Sequence, residues 1–368
     1  MRGLLVASAL AAAALGPIAA CEGDPPPLER AAAEPTLADD VALAAGQRFL
    51  DDHVADDGRV VRHDEGGDTV SEGQAYAMLV AVGIGDEASF REVWDWTREH
   101  LQRDDGLLAW RWADGQVADP MPATDADVDA AHALVLASTR FRDESFADDA
   151  RRLAGAVLEH ATIEGRLGPV AVAGPWATGD PTWVNPGYAD PVGYAAIGRA
   201  HDDPRWEQLD DGARRVVGGS ASSTDLPPDW AVLTADAIEA RGAPAGGSEP
   251  AHGYDAMRTA IRLAIDCDRS GRALAAAMDD EYDRAALPDG GPAAVLDLDG
   301  TPLVDHGHPV ASVAAAASSL AAGDAADAGR LLTVAEQQLK RAPSYYGSAW
   351  VALGRLWLTT DQLGGCAS

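Results

Sequence analysis

Carboxylates beside glycine, aromatic and small residues occur in three segments of the sequence: 70–79, 123–131 and 252–262. In the first, Ser71 and Gln74 have the spacing of a capping box, which predicts that a helix begins here with Glu72 in its first turn. Glu72 is then either a surface acid favoured by the helix dipole or the acid of a cleft whose apolar lining raises its pKa. The residue pattern supports the two interpretations equally.

The second segment repeats Asp at every second position from Asp125 to Asp129, a spacing that suggests calcium. An EF-hand loop needs Gly at its sixth position and Glu at its twelfth. Counted from Asp125, those positions hold Ala130 and Leu136, so the loop is excluded. A helix cap at Thr124 or Asp125 is the structural alternative. On a helix, Asp125 and Asp129 lie four residues apart on one face and repel each other, which is better tolerated when one of them has a function.

The third segment places Asp255 three residues from both His252 and Arg258. Asp255 and Arg258 could form a surface ion pair that contributes little to stability. Alternatively, Arg258 keeps the Asp255 carboxylate ionised, and Asp255 could then act as a base. His306 and His308 are two potential metal ligands without a third, and no CxxC motif is present. The sequence therefore predicts no metal site and no cofactor.

Aromatic residues flank these acids, and sugar rings stack their C–H faces on flat aromatic faces while their hydroxyls bond to carboxylates. Burial in the core is the alternative for each ring. The aromatic residues concerned are Trp110, Trp112, Trp176, Trp183, Tyr188, Trp230, Tyr254, Tyr345 and Tyr346.

Helical periodicity recurs from Leu37 onward and predicts about a dozen helices in one all-α domain of inner and outer helices. One example is the stripe of Phe90, Val93, Trp94, Thr97 and Leu101. Asp299-Gly300 predicts a hairpin turn between short strands. The predicted helices span about 41–53, 73–83, 87–102, 125–138, 145–160, 189–200, 204–217, 229–241, 253–266, 271–285, 308–322, 325–341 and 346–357.

The chain has 368 residues and a net charge of −31, which disfavours nucleic acids and anionic lipid surfaces as partners.

Residues 1–20 have the pattern of a secretory signal peptide. Its end, Ile18-Ala19-Ala20-Cys21, resembles a bacterial lipobox and predicts lipidation at Cys21. Residues 21–36 form an acidic, Pro-rich tether, and 37–368 a single domain. In an oxidising compartment Cys267 and Cys366 either pair or remain free thiols.

Seven motifs, in the same order along the chain, resemble glycoside hydrolase family 8. The family signature A-[ST]-D-[AG]-D is matched from Ala123, with a departure at Ala130. The matching segments are Ser71-Glu72-Gly73-Gln74-Ala75-Tyr76, Leu108-Ala109-Trp110-Arg111-Trp112, Ala123-Thr124-Asp125-Ala126-Asp127, Val184-Asn185-Pro186-Gly187-Tyr188, Pro228-Asp229-Trp230, Gly253-Tyr254-Asp255-Ala256-Met257-Arg258 and Ser344-Tyr345-Tyr346.

The resemblance implies an (α/α)6 barrel with a long cleft at one end and an inverting endo-glycanase that acts on β-1,4-glucan. Within the family, the sequence is most similar to the secreted bacterial cellulases that accompany cellulose synthesis. By the same resemblance Glu72 is the proton donor, Asp255 the base and Asp125 the acid that holds the sugar at the cleavage site. The implied substrate-binding residues are Trp110, Trp112, Asp127, Trp183, Tyr188, Tyr254, Arg258, Tyr345 and Tyr346.

Two alternatives stay open at this point. One is a chitosanase or other β-1,4-glycanase of the same family, since the negative charge would attract a cationic polymer. The other is a carbohydrate-binding lipoprotein without activity, although retention of all three acids disfavours it. We expect an exported monomer whose partner is a polysaccharide, either secreted or held at the extracellular face of the membrane by the lipid at Cys21.

Overall fold

The computed structural model describes residues 37–165, 168–234, 237–244, 246 and 249–364. The predicted signal peptide 1–20, the lipidation site Cys21, the tether 21–36 and Cys366 lie outside the described residues. Cys267 is disulfide-bonded, which excludes the free-thiol interpretation for this residue. Among the described residues, no helix combines the length and the hydrophobicity that a bilayer-spanning segment needs.

Thirteen α-helices account for most of the described chain. They are α1 (Leu37–His53), α2 (Ser71–Ile84), α3 (Glu87–His100), α4 (Thr124–Arg140), α5 (Glu144–His160), α6 (Pro191–His201), α7 (Arg205–Ser220), α8 (Met257–Ala264), α9 (Arg269–Ala276), α10 (Asp279–Arg284), α11 (Pro309–Ala322), α12 (Ala325–Arg341) and α13 (Tyr345–Thr359).

Six of these helices form a closed inner ring. Helices α2, α4, α6, α8, α11 and α13 pack each against the next, and α13 closes the ring against α2. Five of them have an outer partner that is their neighbour in sequence: α3, α5, α7, α9 and α12 pack on α2, α4, α6, α8 and α11. The outer partner of α13 is α1, from the other end of the described chain, and α1 also packs on α2. The architecture is the predicted (α/α)6 barrel.

The two rings follow from two residue patterns. Inner helix α2 is buried on all sides, with every residue from Gly73 to Gly83 inaccessible to solvent, because neighbours surround it. Outer helix α3 is amphipathic and buries one stripe that includes Phe90, Val93 and Trp94, as the periodicity predicts. A helix that is apolar on every side needs partners on every side, so such helices occupy the inner ring.

In the described part of the chain, eight short strands lie in the loops and form three antiparallel sheets, ordered β1-β2-β3, β4-β5 and β6-β7-β8. Their bounds are β1 (Thr69–Val70), β2 (Arg111–Ala113), β3 (Gln116–Asp119), β4 (Thr162–Gly165), β5 (Gly168–Ala171), β6 (Thr182–Val184), β7 (Trp230–Leu233) and β8 (Ile238–Arg241).

The predicted helix over 229–241 is wrong, because this segment forms the hairpin β7–β8. Strand β7 also pairs with β6, so the hydrogen-bond partners of its backbone come from another segment. A short apolar run fits a helix or a strand equally well, and pairing partners distant in sequence decide between them. The predicted turn at Asp299-Gly300 is present: Gly300 has φ +82° and isolated bridges flank it.

Candidate active site

The N-terminal ends of three inner helices meet at one end of the barrel, around the guanidinium of Arg258. Glu72 lies in the first turn of α2 and Asp125 in the first turn of α4. Asp255 and Arg258 lie on either side of the start of α8. The Arg258 side chain is 1% exposed and binds all three carboxylates. The structure therefore brings together the three acids that the sequence singles out.

Arg258 divides its hydrogen bonds between its two terminal nitrogens. Nη1 donates to Glu72 Oε2 at 3.0 Å and to Asp125 Oδ2 at 2.7 Å, and it lies 3.2 Å from the Tyr76 hydroxyl. Nη2 donates to Asp255 Oδ1 at 2.6 Å. One buried acid, Asp125, and two partly exposed acids, Glu72 and Asp255, thus share one fixed positive charge. Like charges so close together cannot all ionise easily, so at least one carboxyl retains its proton near neutral pH.

The electrostatics place that proton on Glu72. Burial raises the pKa of Glu72 from its ordinary 4.5 to about 8, with the charges of Asp125 and Asp255 adding to the rise and Arg258 opposing it. Burial also raises the pKa of Asp255, but Arg258 and a hydrogen bond from Asn185 oppose it. The Asp255 side chain remains 31% exposed, so cleft water helps to stabilise its ionised form.

Neither helix start that carries an acid has a side-chain cap. The predicted capping box does not form: Gln74 instead bonds to the Val60 amide at 2.6 Å and to Thr97 Oγ1 at 2.8 Å. Thr124 is the first residue of α4 and does not cap it either. The helix dipoles at these ends favour negative charge, so burial must outweigh the dipole to protonate Glu72.

A cavity of about 510 Å³ opens between these acids and the surrounding loops. Its walls are largely apolar and aromatic, with Glu72 and Asp255 on its surface. Trp110 is 37% exposed and Trp176 39% exposed, which leaves large flat faces accessible in the cleft. The other lining residues are Arg62, Val70, Asp119, Met121, Pro122, Ala123, Ala173, Tyr188, Trp230, Ala243 and Pro244.

Several predicted substrate-binding residues lie at this cleft or close to its acids. Trp110 and Tyr188 line it, and the Arg258 guanidinium lies 5.2 Å from the centre of the Tyr188 ring. Tyr254, beside Asp255, is exposed. It contacts the Tyr346 ring, and the Tyr346 hydroxyl donates to the Tyr254 carbonyl at 3.1 Å. These four aromatic residues are candidates for contact with a sugar chain.

The prediction for Tyr345 is wrong, and Trp183 lies outside the cavity around the acids. Tyr345 is 1% exposed and packs in the main core against Phe49 and His53, because it opens α13 with its side chain inside the barrel wall. Trp183 lies on β6, is half-buried and packs against a small secondary core. Neither lines the cleft around Glu72 and Asp255.

Trp112 is also displaced from the cleft. Residues two apart on a regular strand share a face, but the strand register shifts between Arg111 and Trp112, and the Trp112 ring packs edge-on against Trp96 at 5.7 Å and His100 at 4.9 Å. It therefore anchors β2 to α3 and does not line the cavity around Glu72 and Asp255.

Asp127 has a structural position rather than a substrate-binding one. It is fully buried, and its Oδ1 accepts a hydrogen bond from the Leu108 amide at 2.9 Å. Burial raises the pKa of this carboxyl well above its ordinary value, which favours its neutral form. Its bond fixes the loop that leads to Trp110, and the substrate-binding prediction for Asp127 is wrong for this reason.

The remaining acid of the alternating segment has a partner of its own. Asp129 forms a bidentate pair with Arg262 at 2.8 and 2.7 Å, one helical turn below Asp125 and Arg258. Arg262 also lies 3.4 Å from Asp190 on the N-terminal side of α6. Arg262 therefore joins α4, α6 and α8 and does not contact Asp255, which leaves that contact to Arg258.

Two residues at Asp255 have no role in the sequence-based predictions. Asn185 donates to Asp255 Oδ2 at 3.2 Å, and Asp229 bonds to the backbone of the turn that carries Asp255. Both stand within the motifs 184–188 and 228–230, and that placement is the signal that could have singled them out.

His308 caps α11 through the Val310 amide. Among the described residues, no group of three or more His, Cys, Asp or Glu is placed to hold a metal.

Comparison with known proteins decides the family. The model of glycosyl hydrolases family 8 matches residues 32–360. The chain belongs to this family. It is 38% identical over 215 residues to a protein named "Probable endoglucanase" from Novacetimonas hansenii and 27% identical over 229 residues to an endoglucanase of Cellulomonas uda. These matches cover 55% and 60% of this chain, and 61% and 63% of those relatives.

Solved structures of family 8 share the fold. The endo-β-1,4-glucanase CMCax from Acetobacter xylinum superposes with a TM-score of 0.73 at 28% identity, over 86% of this chain and 97% of that one. An endoglucanase from Komagataeibacter sucrofermentans superposes with a TM-score of 0.70 at 26% identity, over 85% of this chain and 96% of that one. The (α/α)6 barrel of this family 8 chain is thus the fold of its structural neighbours.

Proposed function

We propose that this family 8 chain is an inverting, endo-acting glycoside hydrolase that cleaves β-1,4-glucan. The observation that carries the proposal is the single buried guanidinium of Arg258, which binds Glu72, Asp125 and Asp255 at the floor of an aromatic cleft. The endoglucanase names of the relatives support glucan as the substrate. Hydrolysis at such a site needs an acid and a base on opposite sides of the glycosidic bond.

The distance between Glu72 and Asp255 has an upper limit that includes the range of inverting enzymes. Their bound oxygens contact different terminal nitrogens of one rigid guanidinium, so these oxygens are at most about 8 Å apart. Inverting enzymes keep their carboxyls about 6.5–9.5 Å apart to hold a water molecule, whereas retaining enzymes use about 5–5.5 Å. The exposed Asp255 faces the cleft, where a water can reach it.

In the proposed reaction Glu72 donates its proton to the glycosidic oxygen as the bond to the anomeric carbon breaks. Asp255 accepts a proton from the attacking water, and the new bond forms on the opposite face of the sugar. Asp125, held by Arg258 between them, contacts the sugar at the cleavage site and supports the positive charge that develops there. Asn185 orients Asp255 through its hydrogen bond.

Protonation defines the pH range of activity. Glu72 must be protonated, so turnover falls as the pH rises through its pKa of about 8. Asp255 must be ionised, so turnover also falls as the pH drops through its own pKa, which burial raises. We expect a bell-shaped profile whose alkaline limb belongs to Glu72.

Product analysis tests the proposal. Purified protein is incubated with carboxymethylcellulose, mixed-linkage β-glucan, xylan and chitosan, and viscosity is followed together with reducing ends. We expect a rapid loss of viscosity on the glucans and, by proton NMR, the α-anomer as the first product of a β-linked chain. Turnover confined to chitosan would reject the glucan proposal, and a β-anomer would reject Asp255 as the base.

We further propose that the protein is exported as a monomer and held at the extracellular face of the membrane through Cys21. The support is the sequence pattern at Ile18–Cys21. Cys21→Ser should release the protein into the medium, because a lipoprotein cysteine carries the acyl chains that anchor it. A wild-type protein that is already fully soluble after export would rule the anchor out.

A further inference from the structure

A further carboxyl, that of Asp229, bonds to the backbone on both sides of Asp255. Its Oδ1 accepts hydrogen bonds from the amides of Gly253 at 3.0 Å and Ala256 at 2.7 Å. These two amides flank Tyr254 and Asp255 in sequence. One carboxyl oxygen therefore spans the turn from which the Asp255 side chain projects.

The turn fits closely against this carboxyl. A Cβ at position 253 would lie 2.7 Å from Asp229 Oδ2, a distance that only glycine avoids without a shift. Asp229 is itself fixed, because its amide donates to the Ala251 carbonyl at 2.7 Å and strand β7 begins at the next residue. The β6-β7-β8 sheet thus supports the turn through Asp229.

The two neighbouring carboxyls differ in what stabilises their ionised forms. Asp255 receives a charge-assisted hydrogen bond from Arg258 and a second bond from Asn185. Asp229 receives only backbone amides, and burial together with the charge of Asp255 raises the pKa of Asp229 to about 7. The charge of Asp255 raises the pKa of Asp229, and the charge of Arg258 lowers it. A close carboxyl pair of this kind binds one proton readily.

We propose that Asp229 is a positioning residue for Asp255: it holds the 253–256 turn and carries the proton of the carboxyl pair, so that Asp255 stays ionised and directed at the attacking water. This inference rests on the proposed function, in which Asp255 is the base. No bond to substrate forms or breaks at Asp229. The proton of the water passes to Asp255, and the proton of Asp229 stays where it is.

Two substitutions separate the two parts of this role. Asp229→Asn keeps an oxygen that can accept both amides and resembles the protonated acid. We expect its kcat to stay within about threefold of wild type, with the acid limb of the pH profile unmoved. Asp229→Ala removes the acceptor and releases the turn. We expect its kcat to fall at least about tenfold while KM changes by less than about threefold.

Asp324→Ala is the matched control. Asp324 accepts the amides of Ala326 and Asp327 at the start of α12, so its removal also deletes a carboxylate that binds two backbone amides. We expect wild-type kcat from this variant. Thermal unfolding of all variants reports whether a loss of turnover exceeds what a loss of stability explains.

Two kinetic outcomes would overturn the inference. Wild-type kcat in Asp229→Ala would show that the turn needs no support from Asp229. An acid limb that moves to lower pH by about one unit or more in Asp229→Asn would place the shared proton on Asp255, because removing a neighbouring charge then lowers the pKa of Asp255.

A measurement without turnover keeps this inference separate from the proposed function. Carbon-13 NMR titration of aspartate carboxyls, assigned with Asp229→Asn and Asp255→Asn, reports directly which acid binds the proton. We expect the Asp229 signal to titrate near pH 7 and the Asp255 signal at lower pH. The reverse order would reject the inference even if the protein hydrolysed glucan, and absence of hydrolysis would reject only the proposed function.

Discussion

Replacing Glu72 by Gln should change how stability depends on pH. Between its ordinary value of 4.5 and its folded value of about 8, the Glu72 carboxyl stays protonated in the folded protein and ionises in the unfolded chain. The folded state then binds more protons, so stability falls as the pH rises through this window. The loss is absent below about pH 4.5 and complete above about pH 8.

The magnitude follows from the pKa. At about 1.4 kcal/mol per pH unit, a rise from 4.5 to about 8 corresponds to about 5 kcal/mol at most. The side chain retains 20% exposure, and the water it contacts screens part of the effect. We therefore expect Glu72→Gln to gain about 2–4 kcal/mol over wild type between pH 4.5 and pH 8.5, while its turnover is abolished.

Urea unfolding of both proteins at several pH values measures this difference. Asp210→Asn is a matched control, since burial raises the pKa of Asp210 to about 7 on α7, outside the cleft, where Arg214 opposes the rise. That variant should gain stability with pH in the same sense but keep full turnover. Parallel pH dependences for wild type and Glu72→Gln would refute the assignment of a retained proton to Glu72.

The remaining predictions concern two residues of the site, Asp125 and Trp110, and two buried residues, Tyr345 and Asp127. Asp125→Asn should lower turnover strongly without changing the product anomer, which NMR of the first product checks. Trp110→Ala should weaken binding of cello-oligosaccharides by about 1–3 kcal/mol in calorimetry with little change in Tm, whereas Tyr345→Ala should cost about 3–5 kcal/mol of stability, since it is a core ring. Asp127→Ala should lower the free energy of unfolding by about 1–3 kcal/mol, because it leaves the Leu108 amide unpaired. Asp127→Asn keeps an acceptor oxygen and should lower it much less. Equal losses for the two variants in urea unfolding would contradict the hydrogen bond.

Local patterns in the sequence predicted the helices and singled out the three acids, whereas the closed barrel and the roles of the acids were implied by the family resemblance. Periodicity marks which face of each helix is buried, and this information is contained within a few consecutive turns. Glu72, Asp125 and Asp255 could be identified because each stands in a distinctive motif at a helix start. The same patterns misassigned 229–241 as a helix, since the backbone partners of β7 lie in β6, far along the chain.

The tertiary structure alone decided what each side chain contacts. Arg258 reaches Glu72 across 186 residues of sequence and Asp125 across 133, and no local spacing records such a contact. Local spacing also does not record which rings are buried: Tyr345 lies in the core and Trp110 at the cleft, although both stand in family motifs. The type of a residue determines which chemistry its side chain can perform. Its protonation state and access to substrate depend on charges and neighbours that only the closed barrel brings together.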